Sequence, residues 1–88
     1  MLFYFDVRDE NKQLHPDDEG QELPDVEAAR REAAEAALAI AGDVLPARQG
    51  KVLPSRHVGE VVVEVLGQAR QLLLTASVEL RIAEIRKP

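Results

Sequence analysis

Between Val58 and Ile82 apolar and polar residues alternate with a period of two, interrupted once at Gly67-Gln68-Ala69-Arg70. A period of two puts successive side chains on opposite faces of extended backbone, so this stretch settles as two half-buried strands joined by a hairpin. Val61, Val63 and Val65 take one face, and Glu60, Val62 and Glu64 the other. In the second strand Leu72, Leu74, Ala76, Val78, Leu80 and Ile82 face in, while Gln71, Leu73, Thr75, Ser77, Glu79 and Arg81 face out. The loop lacks the Asn-Gly pair that marks the tightest hairpins. A hairpin with one apolar face is not stable alone and must be covered.

The cover comes from residues 25–41. Val26, Ala29, Ala33, Ala36, Ala37 and Ile40 recur at helical spacing, and seven alanines between 28 and 39 raise the intrinsic helix propensity. Pro24 and Asp25 suit a helix start: proline has no amide to leave unpaired, and a carboxylate favours the positive helix end. Glu27 stands four residues before Arg31, the favourable order for a helical ion pair. Gly42 marks the expected stop. A helix faced with alanine can approach a sheet closely, so it reads as a lid and not as a coiled-coil strand.

At the other end, Leu2 to Arg8 alternates again, with Phe3, Phe5 and Val7 on one face and Tyr4, Asp6 and Arg8 on the other. Gln13-Leu14-His15 can return as a short second strand before Pro16 ends it. Residues 43–57, punctuated by Pro46, Gly50 and Pro54, read as an irregular connection with a short helical turn near its start. The expected fold is a single α+β domain over 1–88: an antiparallel sheet of three or four strands, one helix across one face, in the order β-(β)-α-β-β. At 88 residues the core is thin.

Strand lengths make a further expectation. If Leu66 pairs with Gln71, Val58 falls opposite Glu79 and residues 80–85 overhang the hairpin. An unpaired apolar edge invites association, so a homodimer that uses Leu80 and Ile82 is expected unless the first strand covers the overhang. Tyr4, Val62 and Leu73, predicted on the sheet face away from the helix, complete the expected interaction surface.

Composition removes several function classes. The chain has no cysteine, hence neither disulfides nor thiolate metal sites. Its apolar start, Met1 to Phe5, is too short for a signal peptide, and no run reaches a membrane-spanning length, so a cytoplasmic setting is expected. The net charge is −5. Residues 9–25 carry seven acids against Lys12, whereas residues 44–58 carry Arg48, Lys51 and Arg56 with no acid. A nucleic-acid binder would concentrate basic charge on one face, and here the outward strand faces carry Glu60, Glu64 and Glu79. No catalytic residue is expected: Ser55 and Ser77 lack a nucleophile elbow, and nothing brings an orienting acid to Ser55 and His57. The glycines are scattered, with no phosphate-cradling loop, and no cofactor is expected.

The acidic run from Asp17 to Asp25 has two readings. Neither calcium-loop frame fits it: starting at Asp9 places Leu14 where glycine is required, and starting at Asp17 places Glu22 there. A loose divalent site from Asp17, Asp18 and Glu22 is the one metal arrangement the chain offers. In the other reading Asp18, Glu19 and Gly20 make a tight turn and Asp25 supports the helix start.

Phe3-Tyr4-Phe5-Asp6-Val7-Arg8-Asp9, then Asp18-Glu19-Gly20-x-Glu22-Leu23-Pro24-Asp25, then Glu27-Ala28-Ala29-Arg30 resembles a family of small bacterial proteins of unknown function. Its members begin with an aromatic-rich strand, turn through Asp-x-Glu-Gly-x-Glu into an alanine-rich helix, and end in a hairpin. The likeness covers residues 3–41, and the remainder only by pattern. It implies a fold and no activity. The element order also resembles the small sheet of antitoxin modules, a likeness of topology alone. The leading expectation is a non-enzymatic structural or protein-interaction module that self-associates. The alternative is a regulatory or antitoxin-like subunit that binds a partner protein through its sheet edge or face.

Overall fold

The computed structural model describes residues 1–44, 50 and 52–86. Its elements are β1 (Leu2–Arg8), β2 (Leu14–His15), β3 (Gln21–Glu22), α1 (Val26–Val44), β4 (Arg56–Leu66) and β5 (Leu72–Ala83). The five strands form one antiparallel sheet in the order β2-β1-β4-β5, with β3 also on β1. The expected fold class holds, and the strand order, left open by the sequence, places β1 beside β4.

β2 and β3 share one edge of β1. β2 pairs Val7 with His15, while β3 pairs Leu2 with Glu22 and Phe3 with Gln21. The chain bulges away over residues 16–20 between them. β3 goes beyond the expected elements, because two polar residues carry no alternation to read.

Helix α1 starts where expected: the Asp25 carboxylate accepts the Ala28 amide at 2.8 Å, satisfying one of the orphan donors of the first turn. Its buried line is Ala29, Ala33, Ala37 and Ala41, all at 4% exposure or less. Val26 and Ala36, expected inward, are exposed and half-buried respectively. The helix runs through Gly42 and ends no earlier than Val44, correcting the expected stop. The extra turn lets Val44 join Ala41 against Val61 and Leu80. That burial offsets the roughly 1 kcal/mol an interior glycine costs. Residues 45–49 and 51, where most of the irregular connection and its expected helical turn fall, lie outside the described residues.

The core lies between α1 and the inner sheet face, with Phe3, Val61, Val63 and Val65 fully buried. Phe5, Val7, Leu74, Ala76 and Val78 pack around them.

The β4–β5 register corrects the expected one. Val58 pairs with Arg81, and Glu79 with Glu60. Two features cause the shift: Leu66 pairs with Leu72 and not Gln71, and a bulge then sets Val65 opposite Leu74, each moving the pairing by one residue. β4 also begins earlier, so Arg56 and His57 pair with Ala83 and Ile82. The expected overhang is thereby absorbed as far as Ala83. The bulge also turns Leu72 out, leaving it 56% exposed where an inward position is expected.

Candidate functional site

Three regions carry the residues singled out above: the acidic turn, the open sheet face and the outer edge of β5.

The acidic turn is a strand substitute. Between β2 and β3 the β1 edge lacks a strand partner at Phe5, and the Asp17 carboxylate fills the gap, its Oδ2 accepting the Phe5 amide at 3.1 Å. Its Oδ1 accepts the Glu19 and Gly20 amides, each at 3.1 Å. The Asp17 amide in turn donates to Asp6 Oδ1 at 2.8 Å. Burial works against the Asp17 charge, but the Gly20, Phe5 and Glu19 amides and the Arg70 guanidinium outweigh it and hold the carboxyl below its ordinary value. Gly20 has φ +77°, and a Cβ there would sit 2.9 Å from Leu2 Cδ1 and 3.0 Å from the Phe3 carbonyl oxygen. The chain therefore needs glycine to lie this close to β1.

This geometry bears on the metal reading. Both Asp17 oxygens already accept amides, Asp18 is exposed, and Glu22 lies on β3. Among the described residues no three metal-ligating side chains come together. The neighbouring turn follows the same pattern: Asp9 Oδ1 accepts the Asn11 and Gln13 amides, and Asp9 Oδ2 meets His15 Nε2 at 3.0 Å. The His15 contact, then the Gln13 amide, holds the Asp9 carboxyl below its ordinary value.

The open sheet face divides Tyr4, Val62 and Leu73 instead of gathering them. Tyr4 lies opposite Leu66 and Val62 opposite Arg8, with the Asp6–Glu64 pair between these rows. Arg70 covers the Tyr4 ring, its guanidinium carbon 3.9 Å from the centroid, and approaches Asp6 Oδ1 at 3.8 Å. Arg70 has φ 65° at the end of the hairpin turn, where its amide donates to the Gly67 carbonyl at 2.9 Å. Arg8 meets Glu64 at 3.3 Å. A shallow groove of mixed charge, lined by Arg8, Lys12, Val58, Glu60, Val62 and Glu79, runs across the far end of this face. Leu73 sits in the β-bulge at the opposite end, beside Leu2, Val26 and Gly67.

Ser55 and His57 are not brought into contact chemistry. The Ser55 carbonyl accepts the Glu84 amide at 2.9 Å, while His57 lies on β4 with its Nε2 buried and without a hydrogen-bond partner among the described residues.

The outer edge of β5 is the feature that sequence reasoning approaches for a different reason. β5 is twelve residues long and stands last in the sheet, with no strand beyond it among the described residues. The Glu84–Ser55 bond identifies which backbone groups are free. Glu84 lies one step past the Arg56–Ala83 pair, so even-numbered residues of β5 exchange bonds with β4. The N–H and C=O groups of Thr75, Ser77, Glu79, Arg81 and Ala83 therefore point outward. Leu80 and Ile82, the expected interface residues, are half-buried on the helix side of the same edge. No signal short of the strand order could have shown which edge is free.

Fold and site together define a small α+β domain whose sheet is covered at one edge by β2 and β3 and, among the described residues, open at the other. The chain belongs to a family described as a domain of unknown function, DUF6894, whose model matches residues 2–79. That span takes in β4 and most of β5, beyond the residues 3–41 that carry the resemblance. The comparisons with curated proteins and with solved structures found no match. Among the described residues no helix is long and apolar enough to cross a membrane.

Proposed function

We propose that this chain is a non-enzymatic structural module, cytoplasmic, that self-associates by adding a second copy to the outer edge of β5. One observation carries the reading: a twelve-residue edge strand whose charges are a single Glu79–Arg81 pair of opposite sign lacks most of the usual protections. β5 contains no proline and no lysine, its single bulge lies at its first residues, and its outward backbone groups are unpaired among the described residues. Glu60, Glu64 and Glu79 on the open face repel phosphate and favour a protein partner over nucleic acid.

Light scattering at micromolar concentration tests the reading. The expected mass is twice 9.7 kDa. Ser77→Pro should return it to the monomer, because it removes an outward amide while leaving the bonds to β4 in place. A monomeric parent chain, or a Ser77→Pro variant that stays dimeric, overturns it.

The second reading is a regulatory or antitoxin-like subunit that offers the same edge to a different protein. Leu72 and Leu73 favour it, at 56% and 42% exposed beside the bulge, where an incoming strand would bury them.

A further inference from the structure

We infer that two copies join in one register, antiparallel through β5, with the twofold axis at Leu80 and Glu79 of each copy opposite Arg81 of the other. The inference rests on the self-association proposed above and adds its geometry. In a twofold antiparallel pair the numbers of facing residues sum to a constant, and that sum must be even here, because an odd sum would set the helix side of one copy against the open face of the other. The outward backbone groups belong to odd-numbered residues, which the even sums also bring opposite one another.

Side chains then choose among the even sums. An axis at Glu79 sets Glu79 against itself, and an axis at Arg81 sets Arg81 against itself. An axis at Val78 places Glu79 opposite Ser77 and Arg81 opposite Thr75, leaving both charges without a cross-strand partner. Only the axis at Leu80 puts unlike charges opposite, twice by symmetry.

Within one copy, Glu79 lies directly across from Glu60, a like-charge pair that costs stability in a sheet. Among the described residues the cation that meets Glu79 is Arg81 of the same strand, at 3.4 Å. Across the inferred junction each row reads Glu60, Glu79, Arg81 of the second copy, Val58 of the second copy, so a cation enters beside the two acids. On the helix side the same register stacks Leu80 on Leu80 and Val78 on Ile82.

The helices fit this arrangement. β3 and β4 run parallel on either side of β1, and a crossover between parallel strands is right-handed. That hand turns Ala34 and Leu38 toward the β5 edge and leaves Ala36 and Ile40 on the β1 side. The burial agrees: Ala36 and Ile40 are half-buried, whereas Leu38 is 65% exposed. α1 packs on β4 and β5. With strands about 4.8 Å apart, two such helices on one side of a joined sheet lie roughly 10 Å apart, the separation of packed helices.

The chain has no cysteine, which permits a direct test on the full chain. Glu79→Cys and Arg81→Cys chains, one carrying a mass tag, are mixed and oxidised. Both sites are exposed, so the fold is kept. The expected product is the mixed disulfide, forming at least roughly tenfold faster than either same-chain disulfide, since only directly opposite residues fall within disulfide reach. Predominance of the Glu79→Cys homodisulfide, or rapid self-crosslinking of Val78→Cys, overturns this register while leaving self-association standing. A monomeric mass for the parent chain with no crosslinking in any mixture overturns both.

Discussion

Asp17 shows how much one side chain can organise. It binds an amide of β1 twelve residues earlier and two amides of its own turn. Asp17→Asn keeps the shape but loses the charge that strengthens these bonds, and is expected to cost about 1–2 kcal/mol, discounted for partial exposure. Its carboxyl is held low in the folded state, so its contribution is complete above the unfolded value of about 4 and is lost as pH falls through the folded value. Urea titrations of both chains should therefore show a stability gap that is wide at pH 6 and closes as the pH falls below about 4. Gly20→Ala is expected to lose about 1–3 kcal/mol in the same titrations, since it adds a Cβ at positive φ against β1 backbone. The acidic run was legible as a turn and Asp25 as the start of the helix, though not its bond to the Ala28 amide. The reach of Asp17 was not, because spacing along the chain does not reveal a contact made across a bulge.

At the scale of elements, periodicity was a reliable guide wherever one face is buried and one is wet. β1, β4 and most of β5 follow it. It failed at Leu72-Leu73-Leu74, where three leucines in a row carry no alternation and the bulge decides which turns out. It failed also at Gly42, because a stop signal yields when another turn can still bury side chains. A Cβ added at Gly42 would meet none of the described residues within 4 Å. Gly42→Ala should accordingly stabilise the chain by about 0.5–1 kcal/mol, read as a raised urea midpoint with an unchanged slope. An unchanged midpoint would mean that the last turn is not formed in solution.

The whole molecule is long for its size. Its radius of gyration is 15.3 Å, against about 12 Å for a compact domain of this length, and it extends 53 × 22 × 20 Å. The β4–β5 ribbon, at about 40 Å for twelve extended residues, contributes most of that length. The register removes the overhang from which strand lengths predict self-association, and leaves in its place an outer edge of the same strand that is unpaired among the described residues. Light scattering of the parent and Ser77→Pro chains decides the matter at this scale.

The two edges of the sheet differ in a way that limits growth. β2, β3 and the Asp17 carboxylate together stopper the outer side of β1, so a pair joined through β5 presents a blocked strand at each end. In the proposed pair, assembly would then halt at two copies and not continue into a filament. Loosening the stopper should create a molecule with two adhesive ends, and the 16–20 bulge would then act as the terminator that separates a finite particle from a fibre.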